Sequence, residues 1–343
     1  MKTKDIEHIK ELLSVPKKIA IVSHRNPDGD AYGSSLGLYH FLLKLNHDVS
    51  VVSPNDCPDF LKWLPSQDAI VVFENNPSKG TQLLNEAEII FTLDFNALHR
   101  VGKVMQKVLE NVSATYIMID HHKQPDDYAE YMYSDASISS TSQMIYHFFE
   151  KMGTVNDIDK NIAMCLYTGI MTDTGSFKYA STTSVTHTII ADLIDKGIDH
   201  TKIHNRLYDT NSLNRLQLLG TALRNLKVVS EYKTAYISLS QREMNSVNFK
   251  KGDTEGFVNY GLSLKGIVFA VIFIEDQKQG IIKMSFRSKG IFSVNEFARN
   301  HFDGGGHENA AGGRSELTLK DTIDKFLKIV PTYTNELHNS YEE

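Results

Sequence analysis

Apolar and polar positions follow two rhythms along the chain. Through the first 120 residues, short and nearly continuous apolar runs at 19–23, 49–53, 69–73, 89–93 and 116–119 are each followed by a polar or glycine-marked turn and then by a segment of helical spacing. Continuous apolar strands separated by helices build a parallel sheet covered on both faces. Such sheets bind ligands at the carboxyl ends of their strands, near the point where strand order reverses. From about 141 to 224 the spacing is helical, with helices expected over 141–151, 160–171, 186–196, 201–208 and 212–225. A second pattern follows, with strands expected over 234–239, 266–274 and 281–287 and helices near 255–262, 294–300 and 319–330. The expectation is an α/β protein with an N-terminal parallel sheet sandwiched by helices (1–195), a helical connector (196–225) and a smaller C-terminal α+β domain with a mixed sheet (226–343). The two lobes are expected to face each other across a cleft.

The length of 343 residues agrees with two domains, each large enough for its own core. A net charge of -6, from 36 Lys+Arg against 42 Asp+Glu, excludes a chain-wide basic surface of the kind that grips long duplex DNA. All of the acidic surplus lies before residue 226. Cys57 and Cys165 lack CxxC spacing, which fits buried, reduced thiols in a cytoplasmic protein better than a disulfide framework. The N-terminal segment reads as a polar amphipathic helix, and the longest apolar run, 267–274, is too short to span a bilayer, so neither secretion nor a membrane partner is expected.

Three of the N-terminal strands run into residues that carry chemistry. The first leads to Ser23-His24-Arg25-Asn26-Pro27-Asp28-Gly29-Asp30, another to Asp94, and the last to Asp120-His121-His122. A parallel sheet sets these ends side by side. The His24, Asp28 and Asp30 spacing lets His24 and Asp28 face one ion while Asp30 turns toward a second, and Asp94 can bridge two cations through its two oxygens. His121 adds a nitrogen, and Asp173, at the end of a helix in Thr172-Asp173-Thr174-Gly175, completes the set. Four carboxylates and two imidazoles without a thiolate favour two divalent cations of borderline hardness, Mn²⁺ foremost, over structural zinc.

Taken in order, these segments, with Gly169-Ile170-Met171-Thr172-Asp173-Thr174-Gly175 and the later Phe302-Asp303-Gly304-Gly305-Gly306-His307, resemble the motifs of the DHH phosphoesterases and of their DHH-associated C-terminal domain. The resemblance runs from about residue 18 to 316. Within the family the chain most resembles the short bacterial members that act as oligoribonucleases on nanoRNA and as phosphatases on 3′-phosphoadenosine 5′-phosphate (pAp). Carried over by position, it implies a first metal on His24, Asp28 and Asp94 and a second on Asp30, Asp94, His121 and Asp173. It also implies that Asp120 orients a histidine, and that His122 points at the scissile phosphate as a donor to an oxygen or to the leaving group. The implied reaction is in-line attack on phosphorus by a metal-activated water, without a covalent nucleophile.

In the second lobe, Gly304, Gly305 and Gly306 ahead of His307 allow close backbone approach and can present N–H groups to an anion. Arg287, Ser288 and His307 are the expected contacts to a terminal phosphate, with Arg299 and His301 as weaker candidates. Ser139, Ser140 and Thr141 read first as helix N-cap residues and second as phosphate contacts. Arg25 and Asn26 either touch substrate or shape the metal loop. The expected substrates are short single-stranded RNA and small nucleotides, and the resemblance also implies a homodimer. A cyclic or linear dinucleotide phosphodiesterase of the same family is the alternative, and a non-catalytic nucleotide sensor is the alternative of another class.

Overall fold

The computed structural model describes residues 3–250 and 252–340. The chain divides into two compact units between Thr210 and Asn211, inside the segment expected as a connector.

The first unit runs α1 (Thr3–Leu12), β1 (Lys18–Ser23), α2 (Gly29–Lys44), β2 (Asp48–Ser53), β3 (Val71–Val72), α3 (Pro77–Glu86), β4 (Ile89–Leu93), α4 (Lys103–Leu109), β5 (Thr115–Asp120), β6 (Tyr131–Ser134), α5 (Thr141–Met152), α6 (Lys160–Asp173), α7 (Ser184–Asp195) and α8 (His200–Tyr208). The strands form one parallel sheet in the order β3-β2-β1-β4-β5-β6. The order reverses between β1 and β4. There Ser23 pairs with Leu93, and Leu93 pairs with Ile119, so the next residues, His24 and Asp94 just past their strands and Asp120 at the end of its own, stand at one level.

Both faces are covered, as continuous apolar strands require. On one side α2, α5 and α6 bury Leu36, Phe41, Phe148, Phe149, Leu166 and Ile170, with Phe41 and Phe149 ring centroids 4.2 Å apart. On the other, α3 and α4 contribute Leu84, Met105 and Leu109. Full burial of each large apolar side chain contributes about 1.5–3 kcal/mol. Helices α2 and α6 approach main chain to main chain: a Cβ on Gly33 would stand 2.6 Å from the Cys165 carbonyl oxygen, and one on Gly169 would overlap Ser142 Oγ and lie 2.8 Å from Asp30 Oδ1. Both cysteines are free and buried, and burial pushes the Cys57 thiol up to about 11.

Two expectations for this unit need correcting. The third strand is only Val71–Val72, because Ser66 in the left-handed region and a 3-10 turn at Gln67–Ala69 consume the start of the run. The short, half-exposed edge strand β6 was not expected, since it has neither a continuous apolar run nor full burial.

The second unit runs α9 (Leu213–Arg224), β7 (Lys227–Val229), β8 (Thr234–Leu239), α10 (Gln241–Asn245), α11 (Val258–Leu262), β9 (Phe269–Asp276), β10 (Ile281–Ser288), α12 (Val294–His301), β11 (Gly305–His307), β12 (Ala310–Ser315), α13 (Leu319–Ile329) and α14 (Thr334–Asn339). Its mixed sheet has the order β11-β12-β10-β9-β8-β7, with only β8 and β9 parallel. Alternate residues of β9 serve opposite faces. Phe269 and Phe273 join Phe286, Phe297, Phe302 and Phe326 under α12 and α13, while Ala270 and Ile272 join Leu218, Phe257 and Val258 under α9 and α11. No described helix is long and apolar enough to cross a membrane.

Candidate metal centre

His24, following β1, is buried, and its Nδ1 lies 2.9 Å from the Arg25 carbonyl oxygen. That contact turns Nε2 toward Asp94 Oδ2, 3.4 Å away. His121, following β5, is arranged alike: Nδ1 lies 3.3 Å from the Ile138 carbonyl, and Nε2 faces Asp94 Oδ1 at 3.4 Å, Asp173 Oδ2 at 3.3 Å and Asp30 Oδ2 at 4.0 Å. A backbone carbonyl at one ring nitrogen fixes the tautomer that offers the other nitrogen as a ligand. Asp94 itself sits in the left-handed region with φ 66°, a strained setting that Asp tolerates better than most residues.

Asp28 is the N-cap of α2, with Oδ1 accepting from the amides of Asp30 and Ala31 at 3.0 and 3.1 Å. Asp30, in the first turn of the same helix, is fully enclosed, and its carboxylate accepts from the first amides of α5: Thr141 N–H at 2.6 Å and Ser142 N–H at 2.8 Å. Asp173 is the last residue of α6. Ligand atoms lie within 4.8 Å of one another in three groups of this unit: His24 with Asp28 and Asp94, Asp30 with Asp94 and His121, and Asp94 with Asp120 and His122. Asp173 joins the second through its contact with His121.

The electrostatics of this set call for cations. Burial, then the charge of Asp94, pushes the Asp30 carboxyl up to about 7. Burial drives Asp173 well above the carboxylate range, only partly offset by His121. Burial also opposes protonation of His24, but Asp94, with Asp28 beyond it, outweighs it and lifts the imidazole to about 9. In the same way Asp94 and Asp173 outweigh burial and hold His121 well above its ordinary value, while His121 and His24 keep Asp94 well below its own. Protons on imidazoles and carboxyls thus supply the positive charge that this donor set demands. Three carboxylates and two imidazoles on two sides of a fourth carboxylate, Asp94, are a donor set that could hold divalent cations.

Asp120 is fully buried and grips His122 twice: Oδ2 accepts the His122 amide at 3.1 Å and Oδ1 lies 2.7 Å from Nδ1. Of the two adjacent histidines, His122 is the one that Asp120 orients, which leaves Nε2 as its outward nitrogen. His122 Nδ1 is also 3.8 Å from Asp94 Oδ1.

In the second unit the expected phosphate contacts separate into different kinds. Ser288 is buried, its hydroxyl donating to the Phe292 carbonyl at 2.6 Å and accepting from Asn309 Nδ2 at 2.9 Å, so it clips the turn after β10. Gly304, Gly305 and Gly306 form the close start of the β11–β12 pairing: a Cβ on Gly304 would overlap the Gly312 carbonyl, and Gly306, at φ 152°, would meet the Ala310 carbonyl at 2.5 Å. The Gly306 amide donates to Asn295 Oδ1 at 3.1 Å instead of standing open to an anion. Arg287 is half-buried, with one guanidinium nitrogen donating to the Phe286 carbonyl, and His307 is exposed.

Comparison with known proteins adds a lineage to this geometry. Residues 18–170 match the model described as the DHH family, N-terminal domain, and residues 232–336 match the DHHA1 domain. A Thermus thermophilus protein named bifunctional oligoribonuclease and PAP phosphatase NrnA is 30% identical over 320 residues, 93% of this chain and 91% of that protein. The chain belongs to the DHH family. As a DHH-family phosphoesterase with a DHHA1 domain it is a hydrolase. The Bacillus subtilis protein of the same name is 28% identical over 325 residues, 94% of this chain and 97% of that one. The crystal structure of an exopolyphosphatase-related protein from Bacteroides fragilis superposes with a TM-score of 0.95 at 41% identity, covering 98% of both chains.

Sequence reasoning underestimated Thr141 in this DHH domain. Its hydroxyl donates to Asp94 Oδ1 at 3.0 Å, while Ser140 is the residue that caps α5, its Oγ accepting from Gln143 N–H at 3.0 Å. It also missed the glycines of Asp28-Gly29-Asp30-Ala31-Tyr32-Gly33, whose fourfold spacing continues at Gly37 and marks the α2 face that meets α6. In the DHHA1 domain it missed Asn295, which accepts from the Gly306 amide within the Gly-rich strand, and Asn309, which donates to Ser288 and to the Gly290 carbonyl in the turn after β10.

Proposed function

We propose that this chain hydrolyses short oligoribonucleotides to mononucleotides and removes a phosphate from pAp, using two divalent cations, Mn²⁺ foremost. The observation that carries the reading is that one buried carboxylate, Asp94, turns one oxygen to His24 and the other to His121. His24, Asp28 and Asp94 would hold one cation, and Asp30, Asp94, His121 and Asp173 the other. Bound there, the cations supply an activated water and neutralise charge developing on the phosphate oxygens.

The chain's own residues do the rest. Asp120 fixes the His122 ring so that Nε2 can donate to a phosphate oxygen or to the leaving group. The α5 amides hold the Asp30 carboxylate in one plane. Arg287 and His307 would anchor a terminal phosphate, with no broad basic field to retain a long strand. Relatives named bifunctional oligoribonuclease and PAP phosphatase along nearly the whole length support this substrate class.

The test is a substrate panel with the full chain and Mn²⁺, Mg²⁺ or Co²⁺: labelled RNA of two to five nucleotides, pAp, cyclic dinucleotides and a long single strand. Mononucleotide release from short RNA together with dephosphorylation of pAp supports the reading. Turnover of cyclic dinucleotides with short RNA and pAp untouched overturns it.

A further inference from the structure

Asp94 is asked to offer one oxygen on each side, Oδ2 toward His24 and Oδ1 toward His121. The final torsion of an aspartate is broad and roughly two-fold, so a small rotation about Cβ–Cγ moves both oxygens off their targets together. The hydroxyl of Thr141 meets Oδ1 at 3.0 Å, with both residues buried. A carboxylate oxygen has two acceptor positions, so the hydroxyl takes one and leaves the other for a cation. The usual reason for a threonine here, capping the helix, does not apply, because Ser140 performs that role. The amide of the same residue meets Asp30 Oδ2. One residue therefore touches two ligand candidates through two groups that mutagenesis can separate.

We infer that Thr141 is a positioning residue whose hydroxyl sets the rotation of Asp94, so that one oxygen is presented to each cation while its amide independently holds Asp30. This rests on the two-cation reading above.

The experiment is Mn²⁺ titration calorimetry on the full chain without substrate, for wild type, Thr141→Val, Thr141→Ala and Thr141→Ser, with metal-free melting curves alongside. Thr141→Val keeps the shape and the amide and removes the hydroxyl. It should weaken Mn²⁺ binding at both sites by about 10–100-fold, the usual effect of removing a group that orients a metal ligand. Thr141→Ala, which also covers the case where a second methyl does not fit beside Asp94, should do the same, and Thr141→Ser should restore binding close to wild type. A role confined to helix structure would lower the melting temperature and leave Mn²⁺ affinity unmoved. Wild-type affinities in both Thr141→Val and Thr141→Ala would overturn the inference while leaving the metal centre standing. A wild-type chain that takes up no divalent cation would remove the two-cation reading and this inference with it.

Discussion

The segment 120–122 of the DHH domain, Asp-His-His, and the segment 304–307 of the DHHA1 domain, Gly-Gly-Gly-His, are both short motifs that end in histidine. Their physics is opposite. In the first, Asp120 and His121 are buried and His122 mostly so, Asp120 grips His122, and His121 Nε2 faces Asp94 and Asp173, so the residue types matter for what they reach. In the second, Gly304 and Gly306 matter for what they lack: the absent Cβ atoms let the chain close on β12, and the proposed phosphate contacts are left to Arg287 and His307 at the border. A motif can therefore be built on a side chain's presence or on its absence, and the two should fail differently when altered.

Asp94→Asn probes the first kind and carries the largest expected effect. Asn tolerates the left-handed backbone at φ 66° as Asp does, so the substitution tests charge and bridging alone. It should abolish binding of both cations in calorimetry and lower kcat/KM by about 10³-fold or more, since members of a catalytic unit act together. Retention of either cation at wild-type affinity would break the bridging assignment.

Gly304→Ala probes the second kind. A methyl facing the Gly312 carbonyl should cost about 1–3 kcal/mol of stability through overpacking, and KM should rise while Mn²⁺ affinity stays unchanged. A stable variant with altered Mn²⁺ binding would erase the contrast between the two segments.

The smallest expected effect concerns protons. Metal ligation requires neutral imidazoles at His24, whose pKa is raised to about 9, and at His121, held well above its ordinary value, so at pH 7.5 Mn²⁺ uptake must displace protons from both; at pH 6 Asp30, raised to about 7, and Asp173, also raised, lose theirs as well. Released protons should therefore be most numerous in acid and decline as pH rises through about 9, with Mn²⁺ affinity increasing over the same window. Calorimetry in buffers of different ionisation enthalpy measures this, and a pH-independent count would contradict the charge balance described for the centre.

The strand ends that carry His24, Asp94 and Asp120 were legible because fully buried parallel strands leave continuous apolar runs that stop where the chemistry starts. Strands β11 and β12 were not, because Gly305-Gly306 and Gly312-Gly313 carry no side chains from which a two-residue alternation could be read. Edge strand β6, half exposed, carried too weak a pattern. Within the centre, residue types announced a metal set, but the bond from Thr141 to Asp94 spans 47 positions of sequence and leaves no local trace. Ser288 shows the reverse: a polar residue at the end of a strand suggested a ligand contact, while its hydroxyl donates to Phe292 and accepts from Asn309, partners that no local pattern announces.

The glycine contact between α2 and α6 has a consequence for discrimination among ions. Asp30 and Asp173 stand on those two helices, and the contact of Gly33 with the Cys165 carbonyl sets the spacing between them through main chain. Side chains adjust by rotamer, whereas a buried helix pair at van der Waals contact does not. In the proposed metal site the two carboxylates would therefore start from backbones of fixed spacing, and fitting an ion of different radius would fall to their side-chain torsions alone.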